Sequence, residues 1–188
     1  MDVTGHLADA LDAAVALANA FGARERHGKP APELDDDGKR EAISGALRLV
    51  TRLDPPVGDA GELARGGERL YAVLALLVDG EHERAAGTVN ALLRATRAEP
   101  WLVRHGDEPW HLYFGDPERE TAERWLADLT TAVAMLAGGD GLSRLRRCEA
   151  DRCDLVFLDT TKPGTRRFCS TSCQNRTKVA AHRSRTRM

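Results

Sequence analysis

Residues 148–173, CEADRCDLVFLDTTKPGTRRFCSTSC, hold all four cysteines of the 188-residue chain: Cys148, Cys153, Cys169 and Cys173. The pattern is Cys-x4-Cys, fifteen residues, then Cys-x3-Cys, two close pairs separated by enough chain for one β-hairpin. This is the layout of a tetrathiolate zinc site. Four thiolates leave no coordination position open for water, so one Zn2+ is expected in a structural role. A disulfide framework or an iron–sulfur cluster would use the same residues. The start of the chain, MDVTGHLADALDAAVALANAF, lacks a basic leader and carries Asp9 and Asp12, so a bacterial cytosolic or nucleoid location is expected. There, thiols stay reduced and bind metal.

Between the cysteine pairs, DLVFLDTTKPGTRRF reads as strand, turn at Lys162-Pro163-Gly164-Thr165, and strand. Ser170 or Thr171 can cap a helix running through QNRTKVAAHRSR. The expected layout is a knuckle, a β-hairpin and a helix, a treble-clef-like zinc finger over 142–188. With only Leu155, Phe157, Leu158, Phe168 and Val179 as larger apolar groups, this segment depends on metal for its folding free energy.

Upstream, Leu7, Leu11, Val15, Leu17 and Phe21 mark a first helix ending at Gly22. Residues 23–38, with two prolines, two glycines and three consecutive aspartates, read as a loop. A second helix is expected from about Lys39 to Leu53, stopped by Pro55 and Pro56. Two more fall on 61–80 and 81–96 across Gly80, with Val89, Leu92 and Leu93 inward. PWLVRHGDEPWHLYF alternates around His105-Gly106-Asp107-Glu108 as a β-hairpin should, burying Trp101, Val103, Trp110, Leu112 and Phe114. Asp116-Pro117-Glu118 is a helix-start signal for a helix carrying Trp125, Leu126, Leu129, Val133 and Leu136. The fold class is mainly α with a small β-hairpin, a helical part over 1–141 and a finger over 142–188.

Charge divides along the same line. The net charge is −2, but residues 144–188 hold twelve basic and four acidic side chains, or +8, which leaves −10 for 1–143. A basic segment attracts a phosphate backbone and an acidic one repels it. Arg166, Arg167, Arg176, Lys178, Arg183 and Arg185 are the expected phosphate contacts, with Arg187 continuing one helical stripe. Gln174 and Asn175, near the helix start, suit base edges. With Phe157 and Phe168 both expected inside, stacking on single-stranded RNA is disfavoured and duplex DNA is the expected partner.

Residues 142–187 resemble the CGNR zinc fingers of bacterial transcriptional regulators, in Leu145-Arg146-Arg147-Cys148, Phe157-Leu158-Asp159-Thr160, Arg166-Arg167-Phe168-Cys169-Ser170 and Cys173-Gln174-Asn175-Arg176. Gln174 stands where the family usually has glycine, and Phe168 where tryptophan is common. The acidic part is similar to the ABATE domain, labelled a stress-induced transcription regulator, in LDAAVALANAF and EPWHLYF. The resemblance implies a DNA-binding transcriptional regulator. The alternative is a zinc-stabilised docking module for an acidic partner such as the transcription machinery. A nuclease built on His182, Asp159 and Asn175 lacks a second histidine, so no enzyme is expected. Trp101, Trp110, His111, Tyr113 and Trp125 are either core or the lining of a small-molecule effector pocket.

Overall fold

A computed structural model describes residues 3–51, 55–104, 106 and 110–186. It is mostly helical, as the sequence predicts, with three small two-stranded antiparallel sheets among the described residues. Helix α1 (Val3–Gly22) packs lengthwise on α3 (Ala60–Val78), with α2 (Asp36–Leu47), α4 (His82–Ala95) and α5 (Thr121–Gly138) around them. Leu17, Ile43, Leu47, Leu63, Leu70, Leu74, Leu129 and Val133 are fully buried where these helices meet. Of the positions read at helical spacing, Val15, Leu17, Val89, Leu92, Leu126, Leu129, Val133 and Leu136 are buried, whereas Leu7, Leu11, Phe21, Leu93 and Trp125 are half-buried at the edge of the core.

Local chemistry sets the helix boundaries. Asp35 caps α2 by accepting from Gly38 N at 2.8 Å, and Asp36 and Asp37 sit in its first turn against the positive end of the dipole. The aspartate run therefore starts a helix rather than continuing a loop, and α2 ends at Leu47, before the expected Leu53, which lies outside the described residues. Asp59 caps α3 in the same way through Glu62 N. Gly80, at φ +78°, turns the chain from α3 into α4. Asp116 instead accepts from Glu118 N within a turn, and α5 begins later, at Thr121.

The hairpin of β3 (Trp101–Val103) and β4 (His111–Tyr113) forms with Trp101 opposite Tyr113 and Val103 opposite His111. Its expected buried face does not. Trp110 is 58% exposed, Leu112 40% and Trp101 36%, because three-residue strands present too little surface to cover both faces. Of the predicted turn residues, His105, Asp107 and Glu108 lie outside the described residues.

Residues 23–38 also depart from a loop. Glu25–Arg26 (β1) and Lys29–Pro30 (β2) pair across a turn at His27 and Gly28, both at positive φ. After α5, a 3-10 turn (Asp140–Arg144) leads into β5 (Leu145–Arg147), which pairs with β6 (Val156–Leu158). The sequence predicts instead that this second strand pairs forward, across the turn at Lys162–Thr165, with 166–168. In the structure that later stretch is held by side chains and single bonds: Arg166 N donates to Asp159 Oδ2 at 2.7 Å and Glu149 N to Arg167 O at 3.0 Å. Helix α6 (Thr171–Thr186) is the last of the described elements. Among the described residues no helix is long and apolar enough to cross a membrane.

Candidate metal centre

The β5–β6 pair holds the first cysteine knuckle at its tip. Cys148 N donates to Leu155 O at 2.9 Å, and Arg152, at φ +53°, turns the chain back toward Cys153. The second pair straddles the start of α6, as expected: Ser170 Oγ accepts from Cys173 N at 3.3 Å and caps the helix. Buried Asp159 supports the loop between the pairs, accepting from Thr161 N, Thr161 Oγ1 and Arg166 N. Phe157, Phe168 and Leu155 pack directly on the thiols.

The four cysteines are free thiols. Cys153, Cys169 and Cys173 form a triangle of sulfurs, with Cys153 to Cys169 at 3.8 Å and the other two edges at 3.7 Å. A disulfide would bring two sulfurs to about 2.05 Å. Zinc–sulfur bonds of about 2.3 Å in a tetrahedron put sulfurs about 3.8 Å apart. The three-thiol face thus has the spacing of a zinc-binding set.

A fourth donor enters from far away in sequence. His27 Nδ1, on the turn between β1 and β2, lies 3.4 Å from Cys173 Sγ and 3.9 Å from Cys169 Sγ. The ligand atoms of His27, Cys153, Cys169 and Cys173 all lie within 4.8 Å of one another, a set able to hold one metal ion. Soft thiolates with one imidazole suit a structural Zn2+. Cys148, the first cysteine of the predicted set, is buried beside them and its sulfur accepts from Cys169 N at 3.4 Å. His27 carries no spacing signal; its only sequence cue is a His-Gly pair in a turn.

The thiols are not equivalent. Burial pushes the Cys153 and Cys169 thiols up. Burial also acts on Cys173, but hydrogen bonds from His27, Arg176 and Ser170 outweigh it and bring the thiol down to about 6. Cys173 is therefore the thiolate readiest to meet a cation.

The basic residues separate into two groups. Arg166 turns inward: its Nε donates to Phe168 O at 2.8 Å, its Nη2 to Cys169 O, and its guanidinium lies 4.9 Å over the Phe157 ring. Arg176 folds back over Gly28 and reaches Cys173 Sγ at 3.9 Å through Nη2. Arg167 pairs with Glu149 at the rim. Gln174, Asn175, Lys178 and Arg183 are exposed on α6. Arg185 falls in the last turn of α6 with its side chain outside the described ones, and Arg187 lies beyond the described residues. Thr161, Thr165, Ser170 and Thr171 share a groove with Arg167 and Gln174 at the helix start.

In the helical part, a cavity of about 280 Å³ is lined by Pro55, Pro56, Val103, Tyr113, Trp125 and Asp128, among others. Of the aromatics singled out from the sequence, it takes Tyr113 and Trp125. Trp101 and Trp110 face outward, and His111 stacks with Tyr113 and His6. Burial pushes the Asp128 carboxyl up to about 7, although Phe114 N donates to it.

No curated protein matches the chain. Residues 144–186 match the family model described as the CGNR zinc finger, so the two knuckles, the strand pair and α6 together are a CGNR zinc finger.

Proposed function

We propose that this protein is a transcriptional regulator, not an enzyme, which uses its metal-held finger to bind duplex DNA along the outer face of α6. The observation that carries the reading is the division of the basic residues. Arg166 and Arg176 brace the knuckles, while Lys178, Arg183, Gln174 and Asn175 stay exposed on one rigid helix. Lys178 and Arg183, with Arg167 at the rim, supply phosphate contacts, and Gln174 and Asn175 at the helix start reach base edges. The hydroxyls of Thr165 and Thr171 add neutral donors to the backbone in the same groove. The acidic remainder of the chain, similar to an ABATE domain, limits nonspecific attraction.

Fluorescence anisotropy of the full zinc-loaded chain against duplex and single-stranded DNA at several salt concentrations tests this. Duplex binding should weaken steeply with salt, and the K178E/R183E double variant should bind more weakly with a slope shallower by about two. No duplex binding at low salt would instead point to an acidic protein surface, such as one on the transcription machinery, as the occupant of this face.

A further inference from the structure

We infer that the cavity between α5, the β3–β4 hairpin and the segment at Pro55 and Pro56 is a binding site for a small aromatic amine. Asp128 receives the ammonium, and Trp125 and Tyr113 wall the ring. The site lies in the helical part, and the inference is independent of what α6 binds.

Volume and lining set the size and polarity of the occupant. The cavity measures about 280 Å³, whereas about 150 Å³ is enough for benzene, so one ring with a short chain fits. Pro55, Val103, Tyr113 and Trp125 make its walls mainly apolar. The indole is held in place: Trp125 Nε1 donates to Pro56 O at 3.0 Å, which bridges α5 to the segment before α3. With that N–H spent, the ring offers the cavity an apolar face, and such faces attract both other rings and cations.

Asp128 is the acid in this lining. It is only 4% exposed. Phe114 N donates to its Oδ1 at 2.5 Å, with Gly115 N as a further donor. A β-carbon on Gly115 would lie 2.5 Å from Arg124 Cα, so only glycine lets the end of β4 come this close to α5. An asparagine oxygen would accept the same amides. A carboxylate in an apolar wall calls for more, because a buried charge without a positive partner is costly. Arg124 lines the same cavity, but its Nη1 donates to Pro117 O at 3.1 Å in an exposed contact. The direct partner is left for a ligand to supply.

This pairing has a pH signature of definite sign. Burial raises the Asp128 carboxyl to about 7, so below that pH it must release a proton to pair with an ammonium. Affinity for an amine should therefore rise about tenfold per pH unit up to about pH 7 and then level off. Arg124 on α5, His111 on β4 and His6 on α1, which stacks on Tyr113, are the other ionisable groups around the site. D128N keeps all three, so comparing the two profiles isolates the carboxyl.

Calorimetric titration of the full-length, zinc-loaded protein with phenethylamine tests the site, beside the near-isosteric neutral phenylacetamide and anionic phenylacetate. One amine per chain is expected, bound about tenfold more tightly at about pH 6.5 than at about pH 5.5, and more tightly than either comparator at neutral pH. D128N should weaken the amine by about tenfold or more at neutral pH and flatten its pH profile. V103W, which fills the cavity from the hairpin, should abolish binding, with thermal melts and zinc content checking that both variants are folded. No amine binding at millimolar concentration, tighter binding of phenylacetate, or amine binding that D128N and V103W both leave unchanged would overturn the assignment. Salt-dependent duplex binding stays measurable in every case, so failure here is separable from failure of the DNA-binding reading.

Discussion

Asn19 is a polar residue on a helix rich in alanine, leucine and valine, and nothing in the periodicity of α1 marks it out. Its side-chain amide donates to Val156 O at 2.8 Å and accepts from Val156 N at 3.0 Å, pairing with a strand residue 137 positions away. N19A would remove both partners and leave a half-buried peptide group short of hydrogen bonds. A loss of about 1–3 kcal/mol in chemical denaturation is expected, and an unchanged midpoint would show that water replaces the amide. Arg166 and Arg176 teach the same lesson from the opposite side: composition marks them as surface cations, whereas bonds to Phe168 O, Cys169 O and Cys173 Sγ make them part of the knuckle. A residue type states what a side chain can do, and its neighbours select one of those uses.

Helix α3 approaches α1 and α5 closely because Gly66 and Gly67 leave room for them. A β-carbon on Gly67 would lie 2.9 Å from Leu17 O, a backbone atom that cannot swing away. G67A should therefore destabilise by about 1–3 kcal/mol despite the better helix propensity of alanine. G87A, on an exposed stretch of α4 where a β-carbon meets nothing within 4 Å, should stabilise by about 0.5–1 kcal/mol. Thermal melts of the two variants should shift in opposite directions. Where β4 meets α5, Asp128 binds Phe114 N from a buried position with its pKa raised to about 7. A carboxyl that is harder to ionise in the fold than in the unfolded chain stabilises the protein below its unfolded pKa. That stabilisation is lost as pH rises through about 7. Relative to D128N, wild-type stability should fall by up to about 4 kcal/mol between about pH 4 and pH 7. Parallel pH profiles for the two proteins would contradict this.

Across the whole molecule the finger is fastened to the helices. Leu145 and Val156, one on each finger strand, belong to the same buried cluster as Leu17 and Leu74. Arg147 forks onto both carboxylate oxygens of Asp79 at 2.7 and 3.0 Å, and Tyr71 Oη donates to Asp154 O at 2.8 Å. Chelating the metal should therefore lower the midpoint of one cooperative melt of the full chain. A calorimetric trace in which the main transition stays put and only a minor one disappears would show the parts to be energetically separate.

The sequence by itself determined the helical class, the two cysteine knuckles, the start of α6 and the split in charge. Each of these is written in residues a few positions apart, within reach of one helical turn or one tight turn. Only the tertiary structure decided that β6 pairs back with β5, that the hairpin aromatics stay exposed, and that His27 stands 146 residues away from Cys173 yet 3.4 Å from its sulfur. Those outcomes depend on how the buried faces of α1, α3 and the finger strands pack against one another. Periodicity within a segment carries no information about which distant segment its surface will meet.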